Sequence, residues 1–284
     1  MTTVYCAGKE LKVLMIGNSF SQSVLKYLPS IVEASADDHL LLGQAYIGGC
    51  SMQRHCAEYA SSAQNPAHRP YWTNLELGHD HKASLQELLD ARQWDMVTIQ
   101  QASHESWRFE RYADFYPQLV KIIRHHQPTA EIVVHQTWSY HSSDPRIAPP
   151  KPEWGFDQTG MYERLTESYR KLAQALNARI IPVGYAVQLT RARKAADAPD
   201  VVGNFYTVTD KETGKKREVR DCIHFNKRGE YLQGCVWYMY LFGRSGSDVK
   251  FRPQELTPEE SGLYVKCAED AVRDFPQIRT AAAE

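Results

Sequence analysis

The sequence predicts an α/β protein, a three-layer α/β/α sandwich around a parallel five-stranded sheet. Short apolar runs alternate with segments of helical apolar spacing along most of the chain, the mark of β–α–β units. The runs are near-continuous rather than alternating, as strands buried on both faces require. With 284 residues, 43% of them hydrophobic, the chain can bury a large core. A single domain over 1–284 is expected, its core at about 11–243 and a C-terminal helix at about 257–275.

The first run, Lys12-Val13-Leu14-Met15-Ile16, closes on Gly17 and reads as a buried strand. The turn Asn18-Ser19-Phe20-Ser21-Gln22-Ser23 follows, then Val24, Leu25, Leu28, Ile31 and Val32 at helical spacing. Leu40 to Ile47 is a second strand ending in Gly48-Gly49. A helix over Ser84 to Arg92 leads into a third strand, Asp95 to Ile99. The helix Tyr112 to His125 precedes a fourth strand, Glu131 to Val134, and the helix Met161 to Leu176 precedes a fifth, Arg179 to Val183. Right-handed connections between such units give a flavodoxin-like sheet. His141 to Phe156, rich in proline and aromatic residues, reads as a loop at the sheet's C-terminal edge. Phe205 to Val219 reads as a hairpin turning at Lys211-Glu212-Thr213-Gly214. Lys227 to Phe242 is a strongly apolar helix, and Thr257-Pro258-Glu259-Glu260 is a capping box with proline at N1 that opens the last one.

A formal charge of −1 gives no electrostatic case for nucleic acid or an anionic membrane. No apolar run approaches the ~18 residues of a membrane span. The start, MTTVYCAGKELK, lacks the apolar stretch of a signal peptide. Six cysteines without a CxxC pair argue against a zinc knuckle or redox motif. Cytoplasmic residence is the expectation, with a mature exported form as the alternative. His79-Asp80-His81 and His125-His126 invite a metal, but no carboxylate–histidine set accompanies them. No metal or cofactor is expected, and His135 reads as a satisfied core histidine. Nothing in the sequence indicates an oligomeric state.

In such a sheet the ligand site lies beyond the C-terminal ends of the strands. Ser19 stands there, after the first strand, either as a nucleophile near helix-terminal N–H groups or as an ordinary helix cap. Asp221-Cys222-Ile223-His224 has a spacing that, in a turn, lets the carboxylate hold the imidazole Nδ1–H and leaves Nε2 free to take a proton. Gly48-Gly49 offers backbone that can approach a ligand closely, and Gln100-Gln101 puts amides at the same edge. Each has a plain structural reading too, as a tight turn or a hydrogen-bonded strand end.

Together the blocks Val13-Leu14-Met15-Ile16-Gly17-Asn18-Ser19-Phe20-Ser21, Ile47-Gly48-Gly49, Val97-Thr98-Ile99-Gln100-Gln101 and Asp221-Cys222-Ile223-His224 resemble the SGNH (GDSL-like) hydrolase superfamily. The resemblance is strongest to a bacterial branch known only as a domain of unknown function. Its members open with GNSFS and close with an Asp-x-x-His-x-Asn-x-x-Gly run, here Asp221 to Gly229. The resemblance implies the SGNH hydrolase fold, with Ser19 as nucleophile and first oxyanion donor, Gly49 as second donor, His224 as general base and Asp221 as its orienting partner. The family's usual GDS is here Gly17-Asn18-Ser19, a near-isosteric change. Its Gly-x-Asn-Asp block lacks the asparagine, and since some carbohydrate esterases of the superfamily use glutamine there, Gln101 is the expected third donor, with Gln100 in reserve.

The implied activity is hydrolysis of a small acyl ester, an acetyl ester above all, through an acyl-serine; the substrate would be a small molecule or a glycan. Trp107, Trp138, Tyr140 and Trp154, in or beside loops at the active edge, suit two readings: stacking on sugar faces, or packing of the loops onto the domain. Two rivals remain. A flavodoxin-like protein could cradle a phosphate or flavin with Ser19, Ser21 and Ser23, and a carbohydrate-binding pseudoenzyme could keep the fold without the reaction.

Overall fold

The computed structural model describes residues 9–35, 37–77, 80–210 and 213–276. Cys6, His79 and the hairpin-turn residues Lys211 and Glu212 lie outside that range. The elements run β1 (Glu10–Gly17), α1 (Ser19–Gln22), a 3₁₀ turn (Ser23–Lys26), α2 (Leu28–Glu33), β2 (His39–Tyr46), α3 (Met52–Gln64), β3 (Tyr71–Trp72), β4 (Lys82–Ala83), α4 (Leu85–Asp90) and β5 (Met96–Ile99). The second half runs α5 (Glu110–Ala113), α6 (Tyr116–His126), β6 (Glu131–His135), α7 (Gln158–Leu176), β7 (Ile180–Ile181), α8 (Val183–Arg193), β8 (Val202–Thr209), β9 (Lys216–Phe225), α9 (Lys227–Phe242) and α10 (Pro258–Asp274).

The main sheet has seven strands in the order β4-β3-β2-β1-β5-β6-β7. Its centre is β1, paired in parallel with β2 from Glu10↔His39 to Gly17↔Tyr46 and with β5 from Val13↔Met96 to Ile16↔Ile99. Covered on both faces, Val13 to Ile16 are at most 1% exposed, which is why this stretch is apolar without alternation. The order β2-β1-β5-β6-β7 is five parallel strands in flavodoxin-like sequence. Chain reversal at β1 places the helices in two layers, α2 with α8, α9 and α10, and α3 with α4 and α6. Helix α9 is buried almost all round, wedged between the sheet and α10, so its sequence is apolar rather than amphipathic. Thr257 accepts from the Glu260 N–H and the Glu260 carboxylate accepts from the Thr257 N–H, the reciprocal cap that starts α10.

Where the structure departs from expectation, the cause is local. The sheet gains two short antiparallel strands, β3 and β4, each of two residues and too brief to carry a pattern. Helix α3 buries Met52, His55 and Ser62, two of them polar, and so shows no apolar stripe. The first helix breaks into α1, a 3₁₀ turn and α2, because Pro29 in the first turn of α2 has no N–H to continue the ladder. Pro117 likewise restarts the chain as α6 after the single turn of α5. The fifth strand is only Ile180–Ile181; Pro182 cannot extend the ladder, and Val183 already begins α8. The hairpin is longer than expected, and its second strand carries Asp221 to His224.

Candidate active site

The turn that carries Ser19 leaves β1 at Gly17, where a Cβ would press on Ser21 Oγ and lie 3.1 Å from the Gln100 amide carbon. Only glycine fits so close an approach. Asn18, not Ser19, caps the short helix: its Oδ1 accepts from the Phe20 N–H at 3.1 Å. This frees Ser19 Oγ, which lies 2.8 Å from His224 Nε2 across 205 residues of chain. His224 Nδ1 is in turn 2.6 Å from Asp221 Oδ2.

Residues three apart on a flat strand face opposite sides. Here β8 advances from Val202 to Asn204 while its partner advances from Phe225 to Asp221, so β9 bulges between those pairs. The Asp221 carboxylate closes the bulge itself, Oδ1 accepting from the Ile223 N–H at 2.8 Å and the His224 N–H at 3.1 Å. The expected turn is therefore a bulge within a strand. Gly203 sits opposite it with φ +112°, where a side chain would meet the Asp221 carbonyl. Burial pushes the Asp221 carboxyl up, but the hydrogen bonds from the His224 ring and from the two backbone N–H groups outweigh it and hold the group at about 2. It is a carboxylate throughout the working range, and its free lone pairs fix Nδ1 as the protonated nitrogen.

The turn after β2 is closed by the Cys50 N–H on Ile47 O, with Gly49 in the left-handed region at φ +61°. Asn18 ties this turn to the one that carries Ser19, its Nδ2 donating to Cys50 O at 3.0 Å. Among the described residues no acceptor engages the N–H of Ser19 or of Gly49. A buried relay lies beneath. Gln233 Nε2 faces His135 Nε2 at 3.4 Å, His135 Nδ1 reaches Gln100 Oε1 at 2.7 Å, and Gln100 Nε2 donates to Asn18 Oδ1 at 2.7 Å. Burial pushes His135 down to about 3, so it is a neutral core histidine with its proton on Nδ1. Sequence reasoning missed the part played by Asn18; its signal was the cap-forming residue type one place before Ser19.

Gln101 does not match its expected place. Its Oε1 accepts from the Met52 and Ala102 N–H groups at 3.0 and 2.9 Å, and its Nε2 donates to Arg111 O at 2.9 Å. Fully buried, with its oxygen and one of its two N–H groups engaged, it anchors the start of α3. Gln100 gives its oxygen and one N–H to the relay.

The aromatic residues pack rather than present open faces. Trp138 is fully buried, stacked on Phe20 at 3.9 Å and on Phe225 at 3.5 Å between ring centres, with Nε1 donating to Ile223 O at 2.9 Å. It fastens the base of β9 to the loop after β6, as does the His141 N–H on Cys222 O at 2.8 Å. Tyr140 is buried with its hydroxyl on Ser103, and Trp107, Trp154 and Phe156 cluster over the 141–156 loop. Beside Ser19 and His224 opens a cleft of about 410 Å³, walled also by Leu25, Trp138, Phe225 and Glu230. His126 serves structure, bonded to Asp90 and to the Tyr59 hydroxyl, and His81 stacks on Trp72. No helix among the described residues is long and apolar enough to cross a membrane.

The family model described as Domain of unknown function (DUF4886) matches residues 12–271. A DUF4886 family protein from Bacteroides uniformis superposes with a TM-score of 0.75 at 26% identity, covering 94% of this chain and 96% of that one. A protein described as a GDSL-like lipase from Parabacteroides merdae superposes with a TM-score of 0.50 at 14% identity, covering 84% of this chain and 97% of that one, a likeness of fold. Comparison with curated proteins gives no match. The chain belongs to the family described as domain of unknown function DUF4886 and has the fold of the SGNH (GDSL-like) hydrolases.

Proposed function

We propose that the protein is a serine hydrolase that cleaves a small acyl ester through an acyl-enzyme on Ser19. The observation that carries this reading is the line Ser19 Oγ to His224 Nε2 to Asp221, at 2.8 and 2.6 Å, open to a cleft. His224 Nε2 takes the Ser19 proton as Oγ bonds the ester carbonyl carbon. The carbonyl oxygen becomes an oxyanion, received by the N–H groups of Ser19 and Gly49. The intermediate collapses, the C–O bond to the alcohol breaks, and the imidazolium returns the proton to the departing alkoxide. Water then repeats the sequence on the acyl-serine and releases the acid. Asp221 stays ionised, holding the ring and offsetting the imidazolium charge.

An acetyl ester is the proposed substrate, a small molecule or a glycan. A flavin or phosphate at the Ser19 turn would leave the Asp221–His224 pair without a task. The test is hydrolysis of p-nitrophenyl acetate. Ser19→Ala and His224→Ala should each cost at least about 10³-fold in kcat, because such residues act as a unit. A fluorophosphonate should label Ser19 and no other residue by mass spectrometry. Wild-type turnover that persists in Ser19→Ala would refute the proposal.

A further inference from the structure

Glu230 stands in the first turn of α9 and walls the cleft that holds Ser19 and His224. An acidic residue at a helix start is ordinarily exposed and steadied by the helix dipole. Here it is half-buried, and burial pushes its carboxyl up against the pull of Lys26 and Lys227. No hydrogen bond or ion pair engages its side chain among the described residues. A carboxylate that faces the cleft without a protein partner is an acceptor available to a bound ligand. Its companions on the wall are Gln22, Lys26 and Ser23, the last with its hydroxyl donated to Gln233 Oε1 at 2.6 Å. That set lets the cleft donate and accept hydrogen bonds at one end, while Leu25, Trp138 and Phe225 supply apolar wall. A long acyl chain would strand these polar groups, and Lys26 opposes a cationic alcohol. Hydroxyl groups satisfy both the carboxylate and its donor neighbours.

We propose that Glu230 determines specificity by accepting hydrogen bonds from substrate hydroxyls, so that this cleft selects short acyl esters of polyols or sugars over esters of simple alcohols. The proposal deepens the hydrolase reading and rests on it for turnover, but its binding step is separable. The first readout is the ratio of kcat/KM for glycerol monoacetate to that for ethyl acetate. Glu230→Leu should lower this ratio at least ten-fold, chiefly through KM for the glycerol ester, and Glu230→Gln should restore part of it. Equal losses on the two esters would reveal a merely structural role and overturn the proposal, as would an unchanged ratio. Acetylcholine preferred over glycerol monoacetate by the wild-type protein would overturn it in favour of a cation subsite.

The second readout needs no turnover. Calorimetric titration of Ser19→Ala with glycerol monoacetate should show binding at least ten-fold tighter than in the Ser19→Ala/Glu230→Leu protein. Equal affinities would overturn the subsite. Wild-type protein inert on both esters, with that affinity difference intact, would support the subsite and refute the hydrolase.

Discussion

Asp221→Asn isolates the electrostatics of the Asp221–His224 pair. A carboxyl held at about 2, against an ordinary value of 3.8, favours the folded state by about 2.5 kcal/mol when ionised. The side chain is 23% exposed, and screening there brings the figure nearer about 2 kcal/mol. Because the folded value lies below the unfolded one, this stability is present above pH 4 and is lost as pH falls through the folded value. Urea titrations of wild type and Asp221→Asn at pH 5 and pH 3 give the measurement; about half of the wild-type advantage should be gone at pH 3. The asparagine can still accept from the Ile223 and His224 N–H groups, but its NH₂ meets Nδ1 and moves the ring proton to Nε2. That nitrogen can no longer take the Ser19 proton, and kcat on p-nitrophenyl acetate should fall about 10³- to 10⁴-fold. A stability difference that is the same at both pH values would refute the reasoning, since the carboxylate would then not be what the bulge stabilises.

Two further substitutions separate architecture from chemistry. Gln101→Leu should destabilise the protein by about 2 kcal/mol or more, by stranding the buried Met52 and Ala102 N–H groups and Arg111 O, while kcat/KM of the folded protein stays within about two-fold. A loss of about 10²-fold or greater in folded protein would return Gln101 to the oxyanion hole. Asn18→Asp, which restores the commoner GDS spelling, should cost about 2–3 kcal/mol, because it sets a carboxylate against Cys50 O at a site 2% exposed. Equal urea midpoints for wild type and this variant would contradict that account.

The parallel sheet was legible because its strands are wrapped on both faces, which forces unbroken apolar runs such as Val13 to Ile16. The two-residue strands at the edge and helix α3 were not, since their side chains pack polar groups and show no period. The residues that meet at the cleft were legible for another reason: each stands at the end of an element on one side of the sheet. Ser19 follows β1, Gly49 follows β2, and Asp221 and His224 precede α9. What spacing could not convey is which way an amide points. Gln100 and Gln101 are neighbours after the same strand, yet one supports the Ser19 turn and the other anchors α3, a choice made by contacts 82 and 49 residues away. The aromatic loop failed similarly, because a tryptophan's exposure depends on partners such as Phe20 and Phe225 that adjoin Trp138 only in space.

The bulge that joins Asp221 to His224 makes those two a single local piece, whereas Ser19 belongs to the opposite end of the chain. A ribosome releases Ser19 early and His224 205 residues later, an interval of about 10–40 s at ordinary elongation rates. Throughout that time Ser19 lacks its partner His224. On the proposed mechanism, reactivity is thereby withheld from the nascent chain and arrives as the β9 segment docks on Trp138, so that synthesis itself times the first moment at which the serine could attack.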